Sequence, residues 1–336
     1  MWSTELPAFV PFFVAALLAL VTRRYLRSVL MLSIVTLSGL HLWFLVGDVL
    51  VNMHFLEYEL TPYRVDSLSI VFGYVFHIAA FVSILFALHI KDTMQHVCGL
   101  LYAGSAMGVL FAGDLLTLFV FWEILAVSSV FLVWARRTER AYQSGMRYLI
   151  IQVGSGVILL GGLLLHVDQT GSLEFDFIGT DHLGGWLILL AFGIKGAFPL
   201  LHTWLTDAYP EATPTGTVFL SAFTTKTAIY TLARGYPGTE LLIYVGATMA
   251  CFPIFYAVIQ NDLRRVLSYS LINQLGFMVC GIGIGTALAI NGAVSHAFVH
   301  IIYKSLLFMS MGAVLYRTGK IKATDIGGLY KTMPKT

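Results

Sequence analysis

Two lysines and a proline in strongly apolar company mark where this chain could do chemistry. Lys195 stands in LLAFGIKGAFPL, with Pro199 four residues on. Proline has no N–H, so in a continuous helix the Lys195 carbonyl would lose its partner. Charge and helix break thus fall at one level. A lysine at the centre of a membrane helix costs roughly 2.5–3.5 kcal/mol. A break in hydrocarbon is tolerated only where the backbone is buried in protein or lines a hydrated cavity. Lys226 follows in a second apolar segment, beyond the Pro- and Gly-punctuated turn 210–216. One lysine alone could snorkel to the surface from a tilted helix. Two lysines around a broken helix point to an ion path.

Two further sets of polar residues lie in apolar runs. Glu123 sits mid-segment in LFVFWEILAVSS, and a carboxylate there must be neutral or partnered by a cation. Lys195 is the expected partner. A Glu–Lys pair whose separation changes would bind or release a proton; a static salt bridge orienting two helices is the alternative. His296, His300 and Lys304 recur every four residues in VSHAFVHIIYKSLLF. Steps of four share one helical face, and imidazoles one turn apart can pass a proton directly or through a water. Two histidines at this spacing also suit zinc, but no nearby carboxylate or cysteine supplies a third ligand. Histidines simply hydrogen-bonded to neighbouring helices are the plainer reading.

The elements that must position these groups are membrane helices. The 336 residues are 58% hydrophobic and 11% charged, with mean hydropathy +0.82, whereas soluble domains carry about 25% charge. Eleven apolar runs are long enough to span a bilayer: 6–21, 28–46, 67–90, 97–112, 115–134, 148–166, 183–208 (broken), 217–233, 241–260, 266–289 and 291–316. Numbering the connections alternately puts fifteen basic residues on one side and two on the other. The positive-inside rule then places the N-terminus outside and the C-terminus in the cytoplasm. No cleavable signal is evident, because the first run ends in Arg23 and Arg24 without a small-residue site.

The remaining polar residues read as structural. His41 and His77 are isolated in their helices, while His202 and Asp207 follow the break and could line a cavity or cap its second half. The loop 51–66, with His54, Glu57, Glu59 and Asp66, reads as a solvated outer surface. The glycines of 154–162 read as close helix packing, and Cys98, Cys251 and Cys280 as small packing residues. Neither a phosphate loop nor a CxxC pair nor a nucleophile elbow occurs, so no cofactor, bound metal or nucleic-acid partner is expected.

RVDSLSIVFG (64–73), FWEILAVSS (121–129), IKGAFPLLHTWLTDAYPEATPTG (194–216), FTTKTAIYTLAR (223–234), DLRRVLSYSLINQLGFM (262–278) and SHAFVHIIYKSLLFMSMGAVLY (295–316) form an ordered series. It resembles the antiporter-like proton-conducting subunits of respiratory complex I, Mrp-type cation/proton antiporters and membrane-bound hydrogenases. The resemblance covers nearly the whole chain. It makes Glu123 the fifth-helix glutamate, Lys195 the lysine of the broken seventh helix and Lys226 the eighth-helix lysine. His296, His300 and Lys304 become the polar face of the eleventh. It implies an all-α fold of two inverted five-helix repeats, each with one broken helix. Residues 1–96 would precede the first repeat (97–233), 241–316 would begin the second, and 317–336 would form a basic cytoplasmic tail. Two departures follow. Ser221 stands where many members have a histidine, leaving that link to water or hydroxyl. Members also continue into a twelfth, broken helix, so the second repeat is expected to be completed by another polypeptide or by further chain.

The function expected is a proton-conducting or cation/proton-antiporting subunit in a bacterial cell membrane, moving H+ and, if the cavity admits it, Na+. Its partners would be lipid and other membrane subunits, one completing the second repeat. It would have no redox site of its own, though the complex could be a redox-driven pump such as NADH:quinone oxidoreductase. The alternatives are a subunit that only braces such a complex and a redox subunit binding quinone.

Overall fold

Polar residues that would be costly within the bilayer mark where several of the helices begin. Asp66 accepts from Leu68 N and Ser69 N, and Ser69 returns a bond, closing a capping box at the start of α3 (Ser67–Ala87). Asp92, Asp114, Thr138, Asp262 and Thr286 cap α4 (Thr93–Phe111), α5 (Leu115–Trp134), α6 (Glu139–Thr170), α12 (Leu263–Ile284) and α13 (Ala287–Thr318). Each satisfies backbone N–H groups that a helix end leaves free. The computed structural model describes residues 6–45, 49–55 and 58–334; Glu57, Lys335 and residues 46–48 lie outside them.

The other helices are α1 (Val10–Val21), α2 (Arg24–Phe44), α7 (Leu183–Lys195), α8 (Thr203–Glu211), α9 (Pro214–Ala222), α10 (Thr224–Gly235), α11 (Leu241–Ile259) and the short α14 (Leu329–Thr332). Among the described residues, eight helices are long and apolar enough to cross a membrane. Each apolar run of the sequence coincides with a helix or with two in succession. The sixth and eleventh run to 32 residues each, longer than their apolar stretches; α6 gains the polar turn 139–147 at its start. The eighth was expected unbroken, but is interrupted at Phe223.

The loop 51–66 is not the plain solvated surface expected. It belongs to an antiparallel hairpin, β1 (Val49–Phe55) with β2 (Tyr58–Val65). Leu60, Tyr63 and Val65 are buried. Tyr63 and Val65, two residues apart, share one face of β2, while the register shift opposite Val51 and Met53 breaks the alternation, so that Leu60 is buried as well. Thr61 N–H donates to Asp114 Oδ2, at the start of α5, at 2.9 Å. Asp66, at the hairpin's end, receives Arg234 Nη2 from α10 at 2.7 and 2.9 Å. Burial alone would raise the Asp66 pKa, but Arg234 and the Ser69 N–H together hold it below the usual carboxylate value of 3.8. The pair therefore stays charged at neutral pH. Its contribution to stability is lost only as pH falls through that lowered value.

Close helix approach is concentrated elsewhere than expected. At Gly246 and Gly276 the backbones of α11 and α12 nearly touch, and a Cβ on either would collide with the other helix's backbone. Of the glycines in 154–162, Gly162 packs against Ile188 of α7, while Gly154 and Gly161 face open space. Cys98 is buried and Cys280 half-buried, but Cys251 is exposed on α11 and packs nothing.

Candidate functional site

The helix carrying Lys195 ends at that residue, as the missing N–H of Pro199 requires. The segment 196–202 then holds two non-glycine residues in left-handed conformation, Ala197 (φ 59°) and Leu200 (φ 68°), each costing about 1–2 kcal/mol. Phe198 N donates back to Gly193 O at 3.0 Å, and Trp204 Nε1 reaches across the gap to Ile194 O at 2.9 Å. His202 occupies the N-cap position of α8 without capping it, and its ring packs tilted against Phe252. Asp207 forms an ion pair with Arg147.

Lys195 is fully buried. Its Nζ donates to Trp122 O at 3.0 Å and lies 4.1 Å above the centroid of the same indole. Ser155 fixes that ring by accepting Trp122 Nε1 at 3.2 Å, and itself donates to Ala191 O. Glu123, the next residue on α5, turns towards α6. A Cβ on Gly156 would overlap its Oε1, so this glycine makes room for the carboxylate. The expected Glu123–Lys195 ion pair is not formed: no such contact within 4.0 Å exists among the described residues, and Oε1 is buried without a hydrogen bond. One step along a helix rotates the side chain about 100°, so a lysine seated on Trp122 is offset from its neighbour.

This geometry makes Gly156 a sensitive position. If the chain conducts ions as its sequence leads one to expect, Gly156→Ala should displace the carboxylate and reduce flux about tenfold, while Gly154→Ala, in open space, should not. Ion-flux assays of the two variants check this; equal activities would show that the Glu123 orientation is immaterial.

Lys226, also fully buried, donates to Ser221 O at 2.7 Å. The link at Ser221 is thus its carbonyl rather than its hydroxyl, which bonds to Val218 O. On α13, His300 and Lys304 are buried and His296 is half-buried. Lys304 Nζ donates to Ser270 Oγ at 2.8 Å, and His296 Nε2 lies 2.9 Å from Gln274 Oε1. Neither ring nitrogen of His300 has a hydrogen-bond partner among the described residues. Its ring lies 6.1 Å from that of His296. The three residues thus share one inward-facing surface packed on α12.

Several participants carried weak signals in the sequence. Ser270, Asn273 and Gln274 lie three and four residues apart in an apolar run, which marks one polar helix face; that pattern was legible. Tyr102, Tyr148 and Tyr209 gave none, because an aromatic in an apolar helix reads as core. All three are fully buried. Tyr102 Oη lies 2.5 Å from Thr224 Oγ1, Tyr148 Oη lies 2.8 Å from Ser129 Oγ, and Tyr209 Oη donates to Leu220 O at 2.8 Å. Arg264 of α12 is likewise buried and donates to the carbonyls of Pro210 (2.8 Å) and Ala212 (2.9 Å) and to the Thr217 hydroxyl, gathering the turn between α8 and α9.

Comparison with known proteins gives a consistent picture. Residues 112–336 match the family described as NADH:quinone oxidoreductase/Mrp antiporter, transmembrane. The chain is 32% identical over 247 residues to an Na(+)/H(+) antiporter subunit from Alkalihalophilus pseudofirmus, covering 68% of this chain and 50% of that one. It is 31% identical over 258 residues to an NADH-quinone oxidoreductase subunit from Desulforudis audaxviator, covering 70% and 51%. The chain therefore spans about half the length of these curated relatives. Among solved structures it resembles a chain of the Mrp complex from a Dietzia species, with TM-score 0.89 and 27% identity over 98% of this chain and 39% of that one. It also resembles a chain of the membrane-bound sulfane sulfur reductase, an archaeal respiratory membrane complex, with TM-score 0.87 and 25% identity over 98% and 59%.

Proposed function

The chain belongs to the NADH:quinone oxidoreductase/Mrp antiporter transmembrane family and is an integral membrane protein; on that premise we propose that it is an ion-conducting subunit of a multisubunit membrane complex, passing protons along its buried lysines. One observation carries this reading. Lys195, Lys226 and Lys304 are all buried, and the hydrogen bonds of their ammonium groups go to neutral oxygens: Trp122 O, Ser221 O and Ser270 Oγ. A lysine kept only to brace helices would be expected to meet a carboxylate, because an unpaired buried charge is costly. Amines in such surroundings exchange protons readily.

The neighbouring groups support the same reading. Glu123 Oε1, both amide atoms of Gln152, Thr225 Oγ1 and both His300 nitrogens are buried without protein hydrogen bonds. Groups of this kind are ordinarily served by water, which would complete a path from α5 to α13. We place the first inverted repeat at 97–233 and the start of the second at 241–316, with eleven spans and the N-terminus outside. Within this plan Glu123 and Lys195 act as one unit, Lys226 receives from it, and His300 joins Lys226 to Lys304. Relatives named for Na(+)/H(+) exchange keep sodium beside the proton as a transported ion.

The test is ion flux in proteoliposomes holding the purified complex under an imposed pH gradient. Lys304→Ala is expected to cut flux about tenfold or more per assembled complex. A purely bracing subunit would instead lose assembly, with normal flux in whatever complex remained.

A further inference from the structure

The interruption between α9 and α10 has its cause on other helices. Residues 217–233 contain neither proline nor glycine, so the sequence offers no breaker of its own. In an unbroken helix Thr224 N–H would bond Leu220 O, and Thr225 N–H would bond Ser221 O. Here Thr224 N donates to the phenol oxygen of Tyr102 at 2.9 Å. Leu220 O accepts instead from Tyr209 Oη at 2.8 Å, with Tyr102 Oη at 3.5 Å. Ser221 O, released by the same opening, accepts Lys226 Nζ at 2.7 Å. Sharp kinks arise where a side chain inserts into the helix ladder, and the hydroxyl of Tyr102 is that insertion. Phe223 at the hinge packs edge-on against the rings of Tyr102 and Phe76, which keeps the opened turn in place.

We infer that Tyr102 is a positioning residue for Lys226: by occupying the Thr224 N–H it keeps the helix open at Phe223 and leaves the Ser221 carbonyl free to hold the ammonium. Without the phenol oxygen, Thr224 N–H and Leu220 O can re-form their bond. Closing the ladder would also turn Ser221 O to Thr225 N–H, and Lys226 would lose its acceptor. The inference rests on the proposed part of Lys226 in ion transfer.

The full complex in proteoliposomes tests it. Tyr102→Phe removes one oxygen, keeps the ring against Phe223, and is expected to lower flux about tenfold with normal complex content. The same variant should slow hydrogen exchange at the Thr224 and Thr225 amides, because closing the ladder pairs both N–H groups within the helix. A packing role for Tyr102 would not raise that protection. Unimpaired flux in Tyr102→Phe, or exchange at these two amides that is unchanged or faster, each overturns the inference. Failure of Tyr102→Phe to assemble overturns it too, because the phenol would then be a requirement of the fold. Lys226→Ala, run in parallel, reports separately on the reading beneath: persistent flux there removes Lys226 from the path, whereas its loss beside a normal Tyr102→Phe sinks only the positioning role.

Discussion

Replacing Lys195 by methionine is expected to lower ion flux through the assembled complex by about a hundredfold, equivalent to about 2.7 kcal/mol on the transfer barrier. Methionine keeps the length and burial of the side chain and removes only the ammonium. The fold should tolerate this, since burying an unpaired cation costs more than burying a thioether. What disappears is the donor to Trp122 O and the cation above its indole. Glu123→Gln should lie in the same range, because the amide fills the space beside Gly156 without carrying a titratable proton. Dissipation of an imposed pH gradient, normalised to complex content, measures both. Wild-type flux in the two variants together would place the ion path elsewhere.

The largest expected effect on stability lies at Arg264. Its guanidinium is fully buried and draws together carbonyls of the turn joining α8 to α9. Arg264→Ala leaves the buried Ala212 carbonyl without its donor, at a cost of about 1–3 kcal/mol, while Pro210 O keeps Arg136 and Tyr209 O keeps the Thr217 hydroxyl. Removing the buried charge offsets part of this, and the emptied guanidinium space adds to it. The net loss expected is about 2 kcal/mol, seen as a fall of about 3 °C or more in the Tm of the purified complex. Lysine should not substitute, because one ammonium cannot reproduce the planar fork that spans several carbonyls. An unchanged Tm in Arg264→Ala would mean that Arg136, which also donates to Pro210 O, suffices to hold the turn.

What could be read from the residues themselves follows the physics of each. Lys195, Glu123 and the His296–Lys304 face stood out because an ionisable group in an apolar run is costly wherever the helix lies. The break after Lys195 was legible because Pro199 removes a donor locally. The break at Phe223 was not, since its cause is a phenol more than a hundred residues away in the chain. The hairpin 49–65 was missed for a related reason. Its alternation is weak, and its burial depends on Asp114, Phe175 and Arg234 meeting it from other elements. Whether Glu123 and Lys195 meet was not legible, because side-chain types show that two groups need partners without showing which partner each takes. Here Lys195 takes a backbone carbonyl and an indole face, and Glu123 a space left by a glycine.

Buried ammonium groups that pass protons must change charge during transfer, which fixed braces need not do. Lys226→Arg separates the two. Arginine preserves the positive charge and hydrogen-bond donors, and it does not release its proton in proteins. If Lys226 exchanges protons, the arginine variant should assemble normally and show flux as low as Lys226→Ala in proteoliposomes. Wild-type flux in Lys226→Arg would contradict the account, because it would show that a permanent cation at this position is enough.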